Sequence, residues 1–283
     1  MGYGLVVIVC SLGYGYVSKF LLRELCCSGV TSIGITSKII NKQEFSQTNL
    51  NICSIYETKK SISFSTHLVI TAPPTDNGCP IYAKYTKDII NSNISNIAYI
   101  SSTSVYGNNK GNWVNESSDL KGKSRVSANR KLAEKQWIKF CLKHKISYNI
   151  FRLGAIYGPD RLNSFGKIKK IIRKKGHYFS RIHVYDISRI VTKILLTGYK
   201  NNIWNLVDNL PSSRESYLLE IANLKKIRNY KIVDYKDEKN QLSKNIKAYW
   251  QNNKKVSNLK IKEKTNLQFI FSNYKAGLKN LLG

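Results

Sequence analysis

The stretch LVVIVCSLGYGYVS, residues 5–18, decides how the rest of the chain is read. An apolar run ends in Gly13-Tyr14-Gly15-Tyr16-Val17-Ser18, and the residues after it carry helical spacing. The run is shorter than the roughly 18 apolar residues a membrane span requires. Nothing before Leu5 is charged and the run closes on a glycine turn, so it is not expected to be a secretory leader. A strand, a tight turn and a helix remain, the setting in which a G-x-G-x-x-G/A fingerprint has a mechanism. Gly13 permits the turn, Gly15 lets the main chain approach a pyrophosphate, and the small Ser18 lets helix and strand pack closely. The diphosphate then rests on the positive end of the helix, with Tyr14 and Tyr16 in the same turn.

Outward from that turn, β-rich runs alternate with helical ones. Strands are expected at Leu5–Cys10, Ser32–Thr36, His67–Thr71, Ile97–Ser101 and Tyr148–Leu153, and helices at Val17–Cys27, Ile81–Asn91 and Ser127–Lys143. Ala72-Pro73-Pro74 stops one strand sharply and adds Ala72 and Pro73 to the expected cofactor surface. Such alternation predicts a Rossmann-like, doubly wound parallel α/β sheet with ligand sites at the strands' carboxyl ends. After about residue 160 the rhythm loosens into a basic stretch, a strand near Ile203–Val207 and a helix from Arg214. The expected division is an NAD(P)-binding domain over 1–160 and a smaller C-terminal α+β substrate lobe over 161–283, some sheet elements of which return to the first domain.

The second strand ends at Thr36-Ser37-Lys38, where an NAD enzyme places an acid for the ribose, and no acid follows before Glu44. Lys38 can meet a 2′-phosphate instead, so the cofactor is NADP or NAD, with NADP favoured.

With 42% hydrophobic and 11% aromatic residues the 283-residue chain can bury a large core, which excludes a disordered polymer. Its six cysteines form no C-x-x-C pair and no ligand-spaced cluster with the four histidines, so neither a disulfide framework nor a metal site is indicated and reduced thiols in the cytoplasm are expected. The net charge of +29 lies mostly after residue 100 and is densest in KIKKIIRKKGHYFSR (167–181), which reads as an amphipathic surface helix. No nucleic-acid module is visible, so salt-sensitive attraction to polyanions is expected in place of specific binding. No membrane partner is expected, and a homodimer is left open.

Four further stretches, YISSTSVYG (99–107), FRLGAIYGPDR (151–161), SRIHVYDISRIV (180–191) and WNLVDNLP (204–211), stand in an order that resembles the extended short-chain dehydrogenase/reductases of the NAD-dependent epimerase/dehydratase superfamily. The atypical YeeZ-type group is the most similar, through the G-x-G-Y start, THLVITAPP…GCP (66–80), WVNE (113–116) and KKVSNLKIKE…NYKAGLKNLL (254–282). The resemblance implies a nicotinamide nucleotide on the sheet and a small-molecule substrate, nucleotide-linked or not, whose hydroxyl or carbonyl is oxidised, reduced or epimerised. It also implies a serine on the strand before V-Y-G and a Y-x-x-x-K pair on the next helix, the phenol acting as acid or base and the lysine lowering its pKa.

Ser102 fills the serine position, but the pair does not survive. If Lys131 is the lysine, Ser127 stands at the tyrosine position; if the following A-E sets the register, Arg130 takes the lysine's place and Val126 the tyrosine's. Atypical members commonly lack the pair too, which leaves a cofactor-holding protein without turnover as the second reading and polyanion binding as a third. Tyr106 and Tyr157, in the two Y-G turns, are candidates for a substitute phenol. Arg130 or Lys131 is a candidate for cofactor contact. Arg152 and Arg181 are candidates for an anionic substrate, because a guanidinium recognises oxyanions bidentately. Within RIHVYD, His183 and Asp186 read as structural, the aspartate capping the next helix by resemblance, and Asn258 lies in a matching motif without an assigned role.

Overall fold

The computed structural model describes residues 6–38, 49–162 and 168–283. The elements run β1 (Ile8–Leu12), α1 (Tyr16–Cys27), β2 (Thr31–Thr36), β3 (Leu50–Ser54), α2 (Thr58–Phe64), β4 (His67–Ile70), α3 (Pro80–Ile90), β5 (Asn96–Ser102), β6 (Trp113–Val114) and α4 (Arg125–His144). There follow β7 (Ser147–Leu153), β8 (Ala155–Tyr157), β9 (Lys170–Arg173), β10 (Arg181–His183), α5 (Val184–Leu196), β11 (Asn202–Leu206) and α6 (Arg214–Leu224). The last stretch holds β12 (Lys231–Asp234), α7 (Tyr235–Glu238), α8 (Lys244–Gln251), β13 (Lys255–Val256), α9 (Leu259–Thr265) and α10 (Tyr274–Leu282).

Seven strands form one sheet in the order β11-β7-β5-β4-β1-β2-β3, a parallel Rossmann-like arrangement with helices between the strands. The order reverses at β1, which pairs with β2 on one side and β4 on the other, so the crevice where such sheets bind ligands opens beyond Leu12. Local chemistry explains the first crossover. Val9, Cys10 and Leu12 are buried in β1, and α1 turns Val17, Leu21, Leu22 and Leu25 inward at helical spacing. The helix stops where Gly29 takes φ +78° and Val30 returns its N–H to the Leu25 carbonyl, a glycine-terminated helix end.

The chain makes two compact units and passes between them five times. Unit 1 comprises Met1–Ser101, Ala128–Phe151 and Ile187–Ile203, and unit 2 comprises Ser102–Ser127, Arg152–Asp186 and Trp204–Gly283. The chain changes unit near the ends of β5 and β7, after the second residue of β11, and inside α4 and α5. Unit 1 is held by a core running from Cys10 and Leu12 through Ile70, Tyr99 and Ile150, with Tyr82, Trp137 and Phe140 meeting edge to face. Unit 2 contains three short parallel pairs, β8 with β10, β9 with β12 and β6 with β13. Its cores gather around Tyr157, Ile171, Tyr217 and Leu278, and around Val105, Tyr106 and Val207.

One expected element is replaced. The basic run 167–181 contains the strand β9 where a surface helix was anticipated, and Lys167 lies outside the described residues. Ile171 is fully buried in β9, which pairs in register with Lys231–Asp234, and a strand arriving sixty residues later outweighs local helical spacing. Among the described residues no helix is long and apolar enough to cross a membrane.

Candidate functional site

The glycine turn of unit 1 borders a cavity of about 300 Å³ whose walls include Gly13, Tyr14, Gly15, Thr36, Ser37, Lys38 and Ala72. Gly13 has φ +114°, and a Cβ there would sit 2.6 Å from Thr71 Oγ1, so no side chain is tolerated. Its carbonyl accepts from the hydroxyls of Thr71 at 2.8 Å and Ser11 at 3.0 Å, and the buried Ser18 donates to Ser11 at 2.7 Å. Ser18 thus ties helix to turn as well as allowing close packing. Gly34 in β2 makes room for Tyr14, whose ring would lie 2.7 Å from a Cβ at that position.

Gly15 is different. A Cβ added there meets nothing within 4 Å, so the space before it is open. Gly15 caps α1 without a side-chain hydrogen bond, and no acid stands in the first turn, which leaves the helix's positive end facing the cavity undiminished. An open cradle over uncapped amides fits a diphosphate. Lys38 is the cation in this wall, its N–H held by Thr36 Oγ1 at 3.1 Å. Glu44 lies outside the described residues. Of the other expected cofactor residues, Tyr16 packs edge-on against Phe20 and Pro73 is exposed. Arg130 donates to the Ile100 carbonyl at 2.7 Å and to the Tyr99 hydroxyl at 3.3 Å.

Unit 2 holds its own cavity of about 270 Å³, bordered by Ser102, Ser104, Val126, Gly154, Tyr249 and Lys254 among others. Ser102 ends β5 and its hydroxyl oxygen accepts the Ser104 N–H at 3.1 Å, an N-cap on the short 3-10 turn Thr103–Tyr106. That bond leaves the Ser102 proton to donate. At the two alternative tyrosine positions the structure separates the residues. Val126 borders the cavity, whereas Ser127 is fully buried and bonds the Ser104 carbonyl at 2.9 Å. Gly122 packs close to Ser127: a Cβ added at Gly122 would lie 2.6 Å from the Ser127 Cβ. In α4, Glu134 is buried and accepts from the Ser101 hydroxyl, about one turn after Arg130. Lys131 is half-buried and in neither wall.

The other sequence candidates are occupied by packing. Tyr106 is fully buried, donates to Asn205 Oδ1 at 2.7 Å and accepts from Arg152 at 3.0 Å. Burial pushes its pKa up to about 12, partly opposed by Arg152, so it is a poor proton donor or acceptor. Tyr157 is buried, points its hydroxyl at the Asn273 carbonyl at 3.4 Å, and is likewise shifted upward by burial. Arg152 and Arg181, expected at an anionic substrate, are both buried and border neither cavity. Arg152 also donates to the Glu116 carbonyl, and Arg181 donates to Ser212 and Ser213 while lying 4.3 Å over the Tyr217 ring. Asp186 sits in the first turn of α5 and accepts the N–H groups of Ile270 and Phe271. His183 packs against Phe271 and burial depresses its pKa to about 4. Asn258 fastens the Val207 carbonyl at 2.9 Å.

Sequence reasoning missed Lys254. It opens the KKVSN segment, is 7% exposed, borders the Ser102 cavity, and has no hydrogen bond or ion pair among the described residues. Desolvation alone lowers its pKa to about 8. Its charged neighbourhood includes His177, which burial, Lys174 and Lys254 hold neutral near pKa 4 and whose Nε2 faces the Trp250 carbonyl at 2.9 Å. Among 46 basic residues nothing local marks this lysine. The signal was its place in a motif read only by resemblance.

No family model matches the chain, and no curated protein gives a significant match. Solved structures do. A functionally unknown conserved protein from Silicibacter pomeroyi DSS superposes with a TM-score of 0.89 at 28% identity over 98% of each chain. The dTDP-glucose 4,6-dehydratase of Bacillus anthracis, in complex with NAD, gives 0.77 at 14% identity over 98% of this chain and 95% of that one. The human epimerase family protein SDR39U1, with NADPH, gives 0.74 at 12% identity over 97% and 98%. The chain therefore has the fold of the NAD-dependent epimerase/dehydratase proteins, the extended short-chain dehydrogenase/reductase architecture, along nearly its whole length.

Proposed function

We propose that this chain binds a nicotinamide dinucleotide at the glycine turn of unit 1 and is an oxidoreductase or epimerase acting on a hydroxyl or carbonyl of a small substrate. The observation that carries the reading is the open space at Gly15 over the uncapped start of α1. There the amides and the helix's positive end hold the diphosphate, Gly13 fixes the turn, and Thr36, Ser37 and Lys38 line the ribose end. A bound nicotinamide supplies or accepts the hydride. Ser102 contributes a hydroxyl able to orient a reacting oxygen, since its hydrogen bond with the Ser104 N–H uses the oxygen as acceptor and leaves the proton to donate. Lys38, in a cavity wall that carries no acid among the described residues, favours NADP over NAD.

Calorimetric titration with NADPH and NADH tests this. The wild type takes up at least one of them, and Gly15→Val, whose Cβ meets no protein atom within 4 Å, weakens uptake by about 100-fold. Uptake unchanged in that variant, or absent from folded wild type, defeats the reading.

A second reading is supported by the missing phenol: a protein that holds the cofactor without turning it over. Turnover on any carbonyl or nucleotide-sugar substrate that Ser102→Ala abolishes removes it.

A further inference from the structure

The cavity of unit 2 carries hydrogen-bond donors and no acid. Lys254 is 7% exposed and without a hydrogen bond or ion pair among the described residues. Ser104 Oγ, in the same wall, is buried and also lacks a partner. Ser102 has a proton to donate. A buried ammonium with no counter-charge costs several kcal/mol, and nature retains such groups where a ligand supplies the opposite charge. The arginines that could have served an anion are locked into packing elsewhere. A second cavity of about 800 Å³, also in unit 2 and sharing Asn252 with the first, is walled by Lys110, Lys121, Lys123 and Lys174, again without an acid. The electrostatic field over both openings attracts anions.

We propose that Lys254, with the Ser104 hydroxyl, is the residue that binds an oxyanion of the substrate, so that the substrate class is a small hydroxy or oxo compound bearing a carboxylate or a phosphate. The anion restores the charge balance that the wall lacks, accepts from the ammonium and the serine, and fixes the position of the molecule in the cavity. This rests on the reading of the chain as an enzyme only for the word substrate; the anion site itself needs no cofactor.

Competitive acetylation with acetic anhydride, followed by peptide mass spectrometry, reads the amine directly in the wild-type protein. Inorganic phosphate and pyruvate are the two probes, one for each oxyanion. At about 10 mM of the fitting probe, acetylation of Lys254 slows about sixfold, as a dissociation constant of about 2 mM gives, while that of Lys255 does not change. Slowing by phosphate alone or by pyruvate alone assigns the oxyanion. No slowing by either, or no acetylation of Lys254 in the absence of anion, overturns the proposal. Calorimetry on Lys254→Met adds a second check: undiminished probe binding there places the anion elsewhere and also overturns it. Where that variant does not fold, the wild-type protection result decides. Neither measurement involves a nicotinamide nucleotide, so failure here is distinguishable from failure of nucleotide uptake at Gly15.

Discussion

In unit 1 the cavity is walled by three short stretches, 12–15, 35–38 and Ala72, with a few apolar side chains behind them, and it offers an incoming group mostly main chain. In unit 2 the walls come from segments scattered between Ser102 and Val256, and they include hydroxyls, the aromatic residues Tyr178, Phe179 and Tyr249, and Lys254. The first kind of site is fixed by backbone geometry and is damaged by adding a carbon. The second is fixed by which polar groups are already spent on packing, and it is damaged by removing a charge. The contrast also separates cations by role: Arg152 and Arg181 are saturated by internal acceptors, whereas Lys254 is not.

The largest effect is expected where main chain is decisive. Gly13→Val combines a left-handed φ with a 2.6 Å overlap on Thr71 Oγ1, and should cost roughly 3–5 kcal/mol in urea denaturation. A wild-type midpoint would mean that the turn can be rebuilt around a side chain. Next comes Arg152→Met, which strips a buried donor from the Tyr106 hydroxyl and the Glu116 carbonyl. A loss of about 2–3 kcal/mol is expected, with anion protection of Lys254 intact. Unchanged stability together with lost protection would return Arg152 to the substrate. The smallest effect belongs to a single exposed charge on the main-chain cavity: Lys38→Ala should weaken NADPH binding about tenfold and leave NADH binding alone. Equal losses for both nucleotides would remove Lys38 as the source of any preference.

How much of this was legible in the sequence follows the same division. The strand, turn and helix of residues 8–27 are set by contiguous residues, and Gly13, Gly15 and Ser18 stand where their spacing implied. The strands β2, β4, β5, β7 and β11 were readable for the same reason, being short β-rich runs between turn residues, whereas β3, Leu50–Ser54, was not among the expected strands. Lys170–Arg173 was not, because isoleucines at helical spacing also suit a strand and the deciding partner, Lys231–Asp234, is remote. The packing of the arginines was not readable because a sequence shows charge but not the acceptors around it: the carbonyl of Glu116 and the hydroxyls of Tyr106 and Ser212 are reached only through the fold. Lys254 was invisible for the converse reason, since the lack of a partner is a property of three-dimensional surroundings.

The fivefold passage of the chain between its units bears on how the protein can be made. As a nascent chain leaves the ribosome, β5 emerges with one edge bare and stays so until Ser147–Leu153 has been synthesised to pair there. Unit 1 cannot be whole before Ile203 is added, by which point two of the three segments of unit 2 are already out. A stop codon upstream of Ile203 truncates both units at once, so such a shortened gene yields neither unit complete.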